Sequence, residues 1–574
     1  MRWVMPEARE AAGEEQARSL AAALQCHPLA ARILVARGLQ DAATASSFLN
    51  SRLADLPDPL LMKGMTAAVD RLLRAIRQRE KITLYGDYDV DGVCSTSLLR
   101  LFLEDQGAQV ATYIPHRLEE GYGLNVQAIE RIAGDGTRVL VTLDCGITSH
   151  AEVSRANALG LEVVVVDHHA VPETMPPALA VLNPLQPGCD YPTKYLCAAG
   201  VAFNLCMGLR RQLRQDGAYA TRPEPNLKAL LDLVALATVA DVVPLTGANR
   251  ILVKHGLVEL GAARRPGIRA LKEISGLDAE GAVNAGQVGF KLGPRINAAG
   301  RLADASVGMR LLCTTSGVEA RAMARELDAA NSERQQIQEA ITESALSQAA
   351  SRKGAYGLVL SSEAWHAGVI GIVASRVVER FHRPTVMVAL KDGVGRGSAR
   401  SIEPFHLVQA LGLCAGHLQR FGGHKHAAGL AVEQGRLAAF SEAFDAIARE
   451  RLKDEDLTPR FRVDALVRPS ELDERAVEAV EALGPFGNGN PNPIFAARRL
   501  EVSPKVLQNK RPGQVGHLKL RLEGAPKLDA IGFSMADRLA LTEGPVDLAF
   551  NVGIDEWNGT RKISLKLKDM RTAG

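Results

Sequence analysis

The sequence predicts an α/β protein with a long connecting helix and a C-terminal all-β domain. Three observations predict this architecture. From about residue 80, short apolar segments alternate with amphipathic helical patterns, which is typical of a parallel sheet covered on both faces. Residues 304–350 contain few helix breakers and predict one long helix. After residue 483, alternating segments such as GHLKLRLEG indicate half-exposed strands.

The length of 574 residues allows about four domains with cores of their own. The alanine-rich N-terminal segment has a helical pattern, and we assign it no chemistry. We place the boundaries where the hydrophobic pattern changes. The expected segments are an N-terminal helical segment at 1–75, a first α/β domain at 76–303, a connecting helix at 304–350, a second α/β domain at 351–452 and a β domain at 453–574.

Composition excludes several classes of protein. The net charge of only +3 means that any nucleic-acid surface is local. The eight cysteines form no CxxC pair, which argues against a zinc ribbon or a disulfide framework and suits a reducing cytosol. No apolar run approaches the roughly 20 residues needed to cross a bilayer, and early charges leave no signal-peptide core. We therefore expect a cytoplasmic protein without a membrane partner.

The stretch KITLYGDYDVDGVCSTSLL at 81–99 carries the first candidate site. Its apolar start predicts a buried strand, because β-branched and aromatic residues end abruptly at glycine. Asp87, Asp89 and Asp91 follow at alternating positions, just before a helical pattern. Carboxylates this close repel one another unless a cation lies among them, and hard divalent cations prefer oxygen ligands. The alternative is a solvated acidic turn that caps the helix.

Similar residues follow two later strands of the predicted sheet. Asp144 follows one strand in VTLDCG, and Asp167, His168 and His169 follow the next in VVVVDHH. Because sites in open parallel sheets lie beyond the carboxyl ends of the strands, we expect these side chains at one edge. Asp241, after an apolar helix, is a further candidate, although alone it is better explained as a surface aspartate at the end of that helix.

Taken together, these side chains offer too many oxygen ligands for one structural zinc. They match a two-metal site, in which ions roughly 3.5–4 Å apart share a bridging carboxylate. Oxygen-rich ligation with limited imidazole favours Mn²⁺ or Mg²⁺. Such sites hydrolyse phosphate esters, so the sequence predicts a phosphoesterase.

The motifs GDYDVDG, LDCG and VDHH, in this order, resemble the DHH phosphoesterase family. The resemblance continues through LGPRINAAGRL (292–302), GRGSARSI (395–402), FGGHKHAAG (421–429) and GPFGNGNPNPIF (484–495), and so covers nearly everything from about residue 50 onward. It implies that the first α/β domain is the DHH catalytic domain. It also implies that the second is the DHH-associated, substrate-binding domain.

The resemblance also implies roles for the individual residues. The implied metal ligands are Asp87, Asp89, Asp91, Asp144, His168 and Asp241. Asp89 and Asp91 hold different ions, and Asp144 bridges the two. His169 lies beside the scissile phosphate as a general acid or electrostatic stabiliser, while Asp167 orients an imidazole from behind.

A second group of residues is predicted to bind substrate. Its members are Arg117, Arg295, Arg301, Ser398, Arg400, Gly422, Gly423 and His424. Guanidinium groups suit a terminal phosphate, which they bind through paired hydrogen bonds, and a glycine-rich turn lets backbone approach a ligand. The alternatives are ion pairs for each arginine and an ordinary tight turn for the glycines. Arg400 with Ser398 is the preferred pair for a 5′-phosphate.

The β domain and the long helix each allow two interpretations. Residues 496–574 hold 14 Lys and Arg against 9 Asp and Glu, which favours a basic barrel of the oligonucleotide-binding (OB) type over a protein-docking module. The helix is predicted to connect two domains rather than to form a coiled-coil dimer, because Arg334 interrupts a seam already poor in leucine. We therefore expect a monomer.

The resemblance implies a metal-dependent exonuclease that degrades single-stranded DNA 5′→3′ to 5′-mononucleotides in recombination and repair. It also implies a RecQ-type helicase and the single-stranded DNA-binding protein as partners, although no motif for either is visible. Two alternatives stay open. One is a DHH phosphodiesterase acting on short oligonucleotides or cyclic dinucleotides, and the other is a non-catalytic replication factor that binds single-stranded DNA.

Overall fold

A computed structural model describes residues 1–5, 10–117, 120–121, 123–302, 304–509, 515–557 and 560–573. Its N-terminal segment is divided between two parts of the molecule. The elements are β1 (Arg2–Val4), α1 (Glu10–Leu24), α2 (Pro28–Ala36), α3 (Ala42–Leu49) and α4 (Met65–Gln78). Helices α1 to α3 pack on the C-terminal β domain, whereas α4 packs into the core of the first α/β domain. The alanine-rich pattern that predicts these helices does not specify their partners.

The first α/β domain contains a five-stranded sheet in which every pair is parallel, in the order β3-β2-β4-β5-β6. Its strands are β2 (Lys81–Gly86), β3 (Gln109–Tyr113), β4 (Thr137–Leu143), β5 (Glu162–Val166) and β6 (Ala180–Leu182). The central strands are fully buried from Val139 to Leu143 and from Val163 to Val166, because helices cover both faces. The parallel sheet predicted from the apolar segments is confirmed.

Within the described residues, ten α-helices belong to this domain or follow it directly. They are α5 (Val90–Asp105), α6 (Val126–Gly134), α7 (His150–Ala158), α8 (Ala198–Gln215), α9 (Leu231–Ala240), α10 (Gly247–Ala262), α11 (Pro266–Ile274), α12 (Ala285–Gln287), α13 (Gly293–Leu302) and α14 (Ser306–Cys313). A π-helical turn at Val288–Leu292 joins α12 to α13.

The connecting helix, α15 (Gly317–Ser351), is shorter than the single helix predicted over 304–350. A break precedes it, because the Ser316 side chain accepts a hydrogen bond from the Glu319 backbone N–H (3.3 Å) and caps a new helix. The helix joins the cores of the two α/β domains. Arg334 is buried and donates to Gln338 (2.6 Å) within the same helix, as expected for a connector.

The second α/β domain has a mixed five-stranded sheet in the order β10-β11-β9-β8-β7. Only the β7–β8 pair is parallel among the described pairs of this sheet. The elements are β7 (Leu358–Ser362), α16 (Ile370–Phe381), β8 (Thr385–Lys391), β9 (Val394–Arg400), α17 (Leu407–Leu413), β10 (Arg420–Gly423), β11 (Ala427–Glu433) and α18 (Leu437–Arg451). The α/β character predicted for the second domain is confirmed by these elements.

The C-terminal domain is dominated by a seven-stranded sheet in the order β13-β14-β18-β19-β17-β16-β15. The elements are β12 (Arg460–Arg462), β13 (Ala465–Leu466), α19 (Glu474–Glu481), β14 (Phe495–Leu500), β15 (Val502–Leu507), β16 (His517–Leu522), β17 (Leu528–Gly532), β18 (Val546–Trp557) and β19 (Thr560–Thr572). Its core includes Ile33 and Leu34 of α2, both at most 1% exposed. Strand β12 pairs in parallel with β1.

Two further findings concern the whole described chain. All eight cysteines are free thiols. None of the described helices combines the length and the apolar composition needed to span a bilayer.

Candidate metal centre

The sheet of the first α/β domain carries three aspartates in a row at its carboxyl edge. Each is the residue that directly follows a strand, and each continues the backbone hydrogen bonding by one residue. The N–H of Asp87 donates to Leu143 O (3.1 Å), that of Asp144 to Val166 O (3.0 Å) and that of Asp167 to a β6 carbonyl (3.0 Å). The sheet therefore fixes the spacing of these three carboxylates.

Two more aspartates come from the first turn of α5. Asp89 caps the helix by accepting from the N–H groups of Asp91 (2.9 Å) and Gly92 (3.1 Å). A Cβ at Gly92 would lie 2.4 Å from Asp87 O, so only glycine allows this close turn. Asp91 accepts from the N–H groups of Ala198 (2.6 Å) and Ala199 (2.8 Å) at the start of α8, where the helix dipole favours a negative charge.

His168 lies among three of the carboxylates. Its Nε2 is 3.1 Å from Asp144 Oδ1, 3.6 Å from Asp91 Oδ2 and 3.7 Å from Asp241 Oδ2. Asp241 reaches this position from the C-terminal cap of α9. Sequence alone left Asp241 a weak candidate, the resemblance implied that it is a metal ligand, and the structure brings it into the cluster.

In the part of the chain that the structure describes, potential ligand atoms form three overlapping groups, within each of which they lie within 4.8 Å of one another. The groups are Asp87–Asp89–Asp144, Asp91–His168–Asp241 and Asp144–His168–His169. The first two are disjoint and each could hold a cation. Asp144 belongs to the first and contacts His168 of the second, which is the arrangement that a bridging carboxylate requires.

The electrostatics of the cluster favour bound cations. Burial, reinforced by the neighbouring carboxylates, raises the pKa of Asp87, Asp144 and Asp241 well above the usual range and that of Asp91 to about 7. Asp87 Oδ1 is buried and has no hydrogen-bond partner in the described structure. Divalent cations would supply the missing ligand and remove the repulsion, so the donor set fits two hard ions.

The two histidines are in different protonation environments. Burial and the neighbouring His169 lower the pKa of His168 to about 4, which leaves it neutral, as a metal ligand must be. His169 Nδ1 lies 2.8 Å from Asp167 Oδ1. Burial opposes the charged form of His169, but this hydrogen bond and the negative charges of Asp167, Asp241 and Asp91 together outweigh it and raise the pKa of His169 to about 9.

Asp167 is well placed to orient His169. Its carboxylate also accepts from the backbone N–H groups of Ile147 (3.0 Å), His168 (2.7 Å) and His169 (3.0 Å). Burial opposes the ionised carboxylate, but the His169 imidazole and these backbone hydrogen bonds together outweigh it, so the pKa of Asp167 is lowered. These hydrogen bonds leave the Asp167 oxygens little capacity to bind an ion, and its role behind the site stays a prediction.

Three of the four predicted arginines lie together where the two α/β domains meet. Arg301 Nη1 donates to Gly368 O (2.8 Å) across the junction. Burial, followed by the charges of Arg117, Arg334 and Arg400, lowers the pKa of Arg301 to about 10, while the charge of Asp89 opposes this shift. A concentration of positive charge therefore adjoins the carboxylate cluster.

Ser398 and Arg400 face the first turn of α16. Arg400 Nη1 donates to Ser398 Oγ (3.3 Å) and to Ala399 O (2.8 Å). A Cβ at Gly371 would lie 2.8 Å from Ser398 Oγ and 3.3 Å from Arg400 Nη2, so the helix backbone comes close to both side chains. The predicted pair is thus brought together.

Arg295 and the glycine-rich turn are in different settings. Arg295 forms an ion pair with Asp328 of α15 (2.8 Å) and donates to Lys291 O (2.6 Å), so it matches the alternative given for the arginines. Gly422 and Gly423 end β10, in the hairpin with β11. His424 follows them and is near enough to His168 to lower the pKa of that imidazole.

Sequence reasoning missed the part played by Asn297. Its Oδ1 accepts from the Val90 N–H (3.0 Å), and a Cβ at Gly300 would lie 2.3 Å from Tyr88 O. Both residues are on α13, three positions apart and therefore on one face. They hold the backbone on either side of Asp89. The Asn-x-x-Gly spacing in INAAG was the available signal.

Comparisons with known proteins agree with this geometry. The family model of the DHH family N-terminal domain matches residues 81–238, that of the DHHA1 domain matches 354–450, and that of the RecJ OB domain matches 463–569. The single-stranded-DNA-specific exonuclease RecJ of Dickeya dadantii is 41% identical over 91% of this chain and 93% of its own. The chain belongs to the RecJ family. The RecJ of Bacillus subtilis is 37% identical over 99% of this chain and 70% of its own.

Solved RecJ structures extend the agreement to the fold. Thermus thermophilus RecJ in complex with Mn²⁺ has a TM-score of 0.84 at 34% identity, covering 100% of this chain and 80% of that chain. An exonuclease RecJ bound to manganese has a TM-score of 0.59 at 40% identity, covering 70% of this chain and 97% of that one. The predicted architecture, with a DHH domain, a DHH-associated (DHHA1) domain and an OB-type domain, is confirmed. The exact boundaries of the five segments and the roles of individual residues stay predictions.

Proposed function

We propose that this protein is a metal-dependent exonuclease that degrades single-stranded DNA 5′→3′ to 5′-mononucleotides in recombination and repair. The observation that carries the proposal is the position of the buried carboxylate–histidine cluster directly beside the arginines of the domain junction. This arrangement places a hydrolytic centre next to a site for a phosphate group. The RecJ relatives are named single-stranded-DNA-specific exonucleases, which supports this function over the alternatives.

The metal ions would be Mn²⁺ or Mg²⁺, as the solved Thermus RecJ complexes contain. The residues that would hold them are Asp87, Asp89, Asp91, Asp144, His168 and Asp241. Two such ions supply Lewis-acid stabilisation of the phosphodiester and lower the pKa of the attacking water. His169, kept protonated by Asp167, donates to an oxygen of the scissile phosphate and stabilises the charge that develops there.

The direct test compares a labelled single-stranded 30-mer with a dinucleotide, each with Mn²⁺ and with EDTA. We expect mononucleotides from the 30-mer in Mn²⁺ and no cleavage in EDTA. Preferred turnover of the dinucleotide would instead indicate a small-ligand phosphodiesterase. Binding without cleavage would indicate a replication factor.

The polarity is proposed to come from a pocket for the 5′-phosphate formed by Ser398, Arg400 and the first turn of α16. A terminal phosphate carries more charge than an internal phosphodiester, and a helix N-terminus with a guanidinium group recognises that charge. We expect wild type to prefer 5′-phosphorylated over 5′-hydroxyl substrate, and Arg400→Ala to lose most of this preference. The measurement is kcat/KM on both substrates.

Arg295→Ala is the matched control, because Arg295 is ion-paired with Asp328. This variant should keep the wild-type preference. Equal preference in Arg400→Ala and wild type would place the pocket elsewhere, and no preference in wild type would remove the pocket altogether.

The OB domain is proposed to contribute affinity for long strands. Lys505 and Arg521 are exposed on the neighbouring strands β15 and β16 at one edge of the sheet. We expect the Lys505→Ala/Arg521→Ala variant to bind a long oligonucleotide more weakly. Its plot of log K against log [salt] should be shallower by roughly 1.4, since each lost phosphate contact removes about 0.7. The measurement is fluorescence anisotropy at several salt concentrations.

Truncation before β12 would be a poor test, because it would uncover the apolar surface of α1 to α3. The control is therefore a second double variant, Arg74→Ala/Arg77→Ala, which removes two exposed charges from α4. It should bind with the wild-type slope. An unchanged slope in the β15–β16 variant would exclude this edge as the DNA-binding surface.

We also propose that the protein acts as a monomer in the cytoplasm, with a RecQ-type helicase and the single-stranded DNA-binding protein as partners. The intrachain contacts of Arg334 on α15 favour a connecting helix over a dimer seam. Light scattering tests the monomer, and pull-down with each purified partner tests the association.

A further inference from the structure

The backbone immediately after Asp241 adopts an unusual conformation. Val242 has a φ of +59°, in the left-handed region that β-branched residues rarely occupy. Such a conformation persists only where surrounding contacts hold it. Because Asp241 is the next residue toward the N-terminus, the contacts that hold Val242 also control the position of the Asp241 carboxylate.

The contacts come from the C-terminal domain. Asn488 Nδ2 donates to Val242 O (2.7 Å), and Asn488 O accepts from the Leu245 N–H (2.7 Å). One asparagine, 246 residues away in sequence from Val242, thus holds both ends of the segment 242–245.

The glycines on either side of Asn488 allow its backbone to lie close to the segment 242–245. A Cβ at Gly487 would lie 2.7 Å from Leu245 Cδ1, and one at Gly489 would lie 3.0 Å from Pro244 Cβ. Gly489 also has a φ of +72°, where a side chain is strained. The Gly-Asn-Gly sequence at 487–489 is therefore shaped to fit the segment that follows Asp241.

The loop that carries Asn488 is itself anchored to the catalytic domain. The buried Arg250 of α10 donates to Gly484 O (2.8 Å). From the other side of the segment, Asn249 Nδ2 donates to Pro244 O (3.0 Å). The segment 242–245 is held between these two sets of contacts.

Asp241 needs such support more than the other carboxylates of the cluster. Asp87 and Asp144 follow strands directly, and Asp89 and Asp91 lie at the start of α5. Asp241 is instead the C-terminal cap of α9, where the helix dipole opposes a negative charge. Neither the sheet nor a helix dipole holds it in place.

We propose that Asn488 is a positioning residue for Asp241, which it holds toward His168 by fixing the left-handed backbone at Val242. The C-terminal domain thereby completes the metal centre of the catalytic domain. This inference rests on the proposed function, in which Asp241 is a metal ligand. Loss of a group that orients a metal ligand typically weakens metal affinity by 10- to 100-fold.

The experiment measures Mn²⁺ affinity of the full-length protein by electron paramagnetic resonance of the free ion, without substrate. We expect Asn488→Ala to raise the apparent Kd about 10-fold. Adding Val242→Gly to Asn488→Ala should recover much of the affinity, because glycine adopts a positive φ without strain. A general loss of stability would not be reversed in this way.

Asn551→Ala is the matched control, since Asn551 Nδ2 donates to Pro493 O (2.6 Å) within the C-terminal domain. It should leave the Kd unchanged. A wild-type Kd for Asn488→Ala, or an equal rise in Asn551→Ala, would overturn the inference. Mn²⁺ binding by Asp241→Asn distinguishes failure of the positioning role of Asn488 from failure of the proposed function. If Asp241→Asn weakens Mn²⁺ binding and Asn488→Ala does not, only the positioning role fails, whereas unchanged binding in Asp241→Asn rejects Asp241 as a ligand.

Discussion

Replacing Asp144 with alanine is expected to lower the rate of single-strand cleavage by at least about 10³-fold at saturating Mn²⁺. Asp144 belongs to the Asp87–Asp89 group and lies 3.1 Å from His168 of the other group. Its loss therefore disturbs both ion positions at once. The measurement is the single-turnover rate on a 5′-phosphorylated oligonucleotide across a Mn²⁺ titration.

Asp144→Asn is the control for backbone effects, because Asp144 has a φ of +64° and asparagine tolerates this conformation better than alanine. Both variants should be inactive to a similar degree. In EDTA at neutral pH, Asp144→Asn should unfold at a temperature no lower than wild type. The raised pKa of Asp144 makes its ionised form costly above the ordinary carboxyl pKa, and asparagine removes that cost. A variant with more than a tenth of the wild-type rate would reject the bridging role.

Replacing His169 with alanine is expected to lower the rate by about 10²- to 10⁴-fold, the usual contribution of a positioned proton donor. The Asp167 hydrogen bond and the charges of the nearby carboxylates together outweigh burial and raise the pKa of His169 to about 9, so the imidazole is protonated at neutral pH. The wild-type rate should therefore fall as the pH rises through that pKa. The His169→Ala variant should lack this decline. The measurement is the pH–rate profile of wild type and His169→Ala at saturating Mn²⁺.

Mn²⁺ affinity separates His169 from the metal ligands. We expect His169→Ala to bind Mn²⁺ nearly as wild type does, whereas His168→Ala should bind it weakly. Asp167→Asn should move the high-pH decline toward lower pH, because it weakens the interaction that keeps His169 charged. An unaltered decline in His169→Ala would assign the titration to another group.

The parts of the site that follow from sequence are those fixed by local structure. Apolar segments ending at Asp87, Asp144 and Asp167 identify the strands, and the topology of parallel sheets then places the three side chains at one edge. The position of Asp91 at the same edge can also be inferred, because the helical pattern of α5 begins only a few residues after β2. Each of these inferences depends on a few residues that are close in sequence and on one general rule of sheet topology.

The parts that sequence did not reveal depend on contacts between distant segments. Nothing local distinguishes Arg295, ion-paired with Asp328, from Arg301 at the domain junction. The same limit applies to Asn488, whose partner is Val242. Helical patterns predict that α1 to α3 form, but the apolar face of a helix does not identify the surface on which it packs.

The packing of α1 to α3 on the C-terminal domain has a consequence for how the protein is made. The partner of β1, at Arg460–Arg462, is synthesised more than 450 residues later, which at ordinary translation rates is roughly 20 to 90 s. During that interval the apolar faces of the first helices have no native partner. The nascent chain is therefore expected to need a chaperone at the ribosome, and the helices are expected to dock only after the last domain has left the exit tunnel.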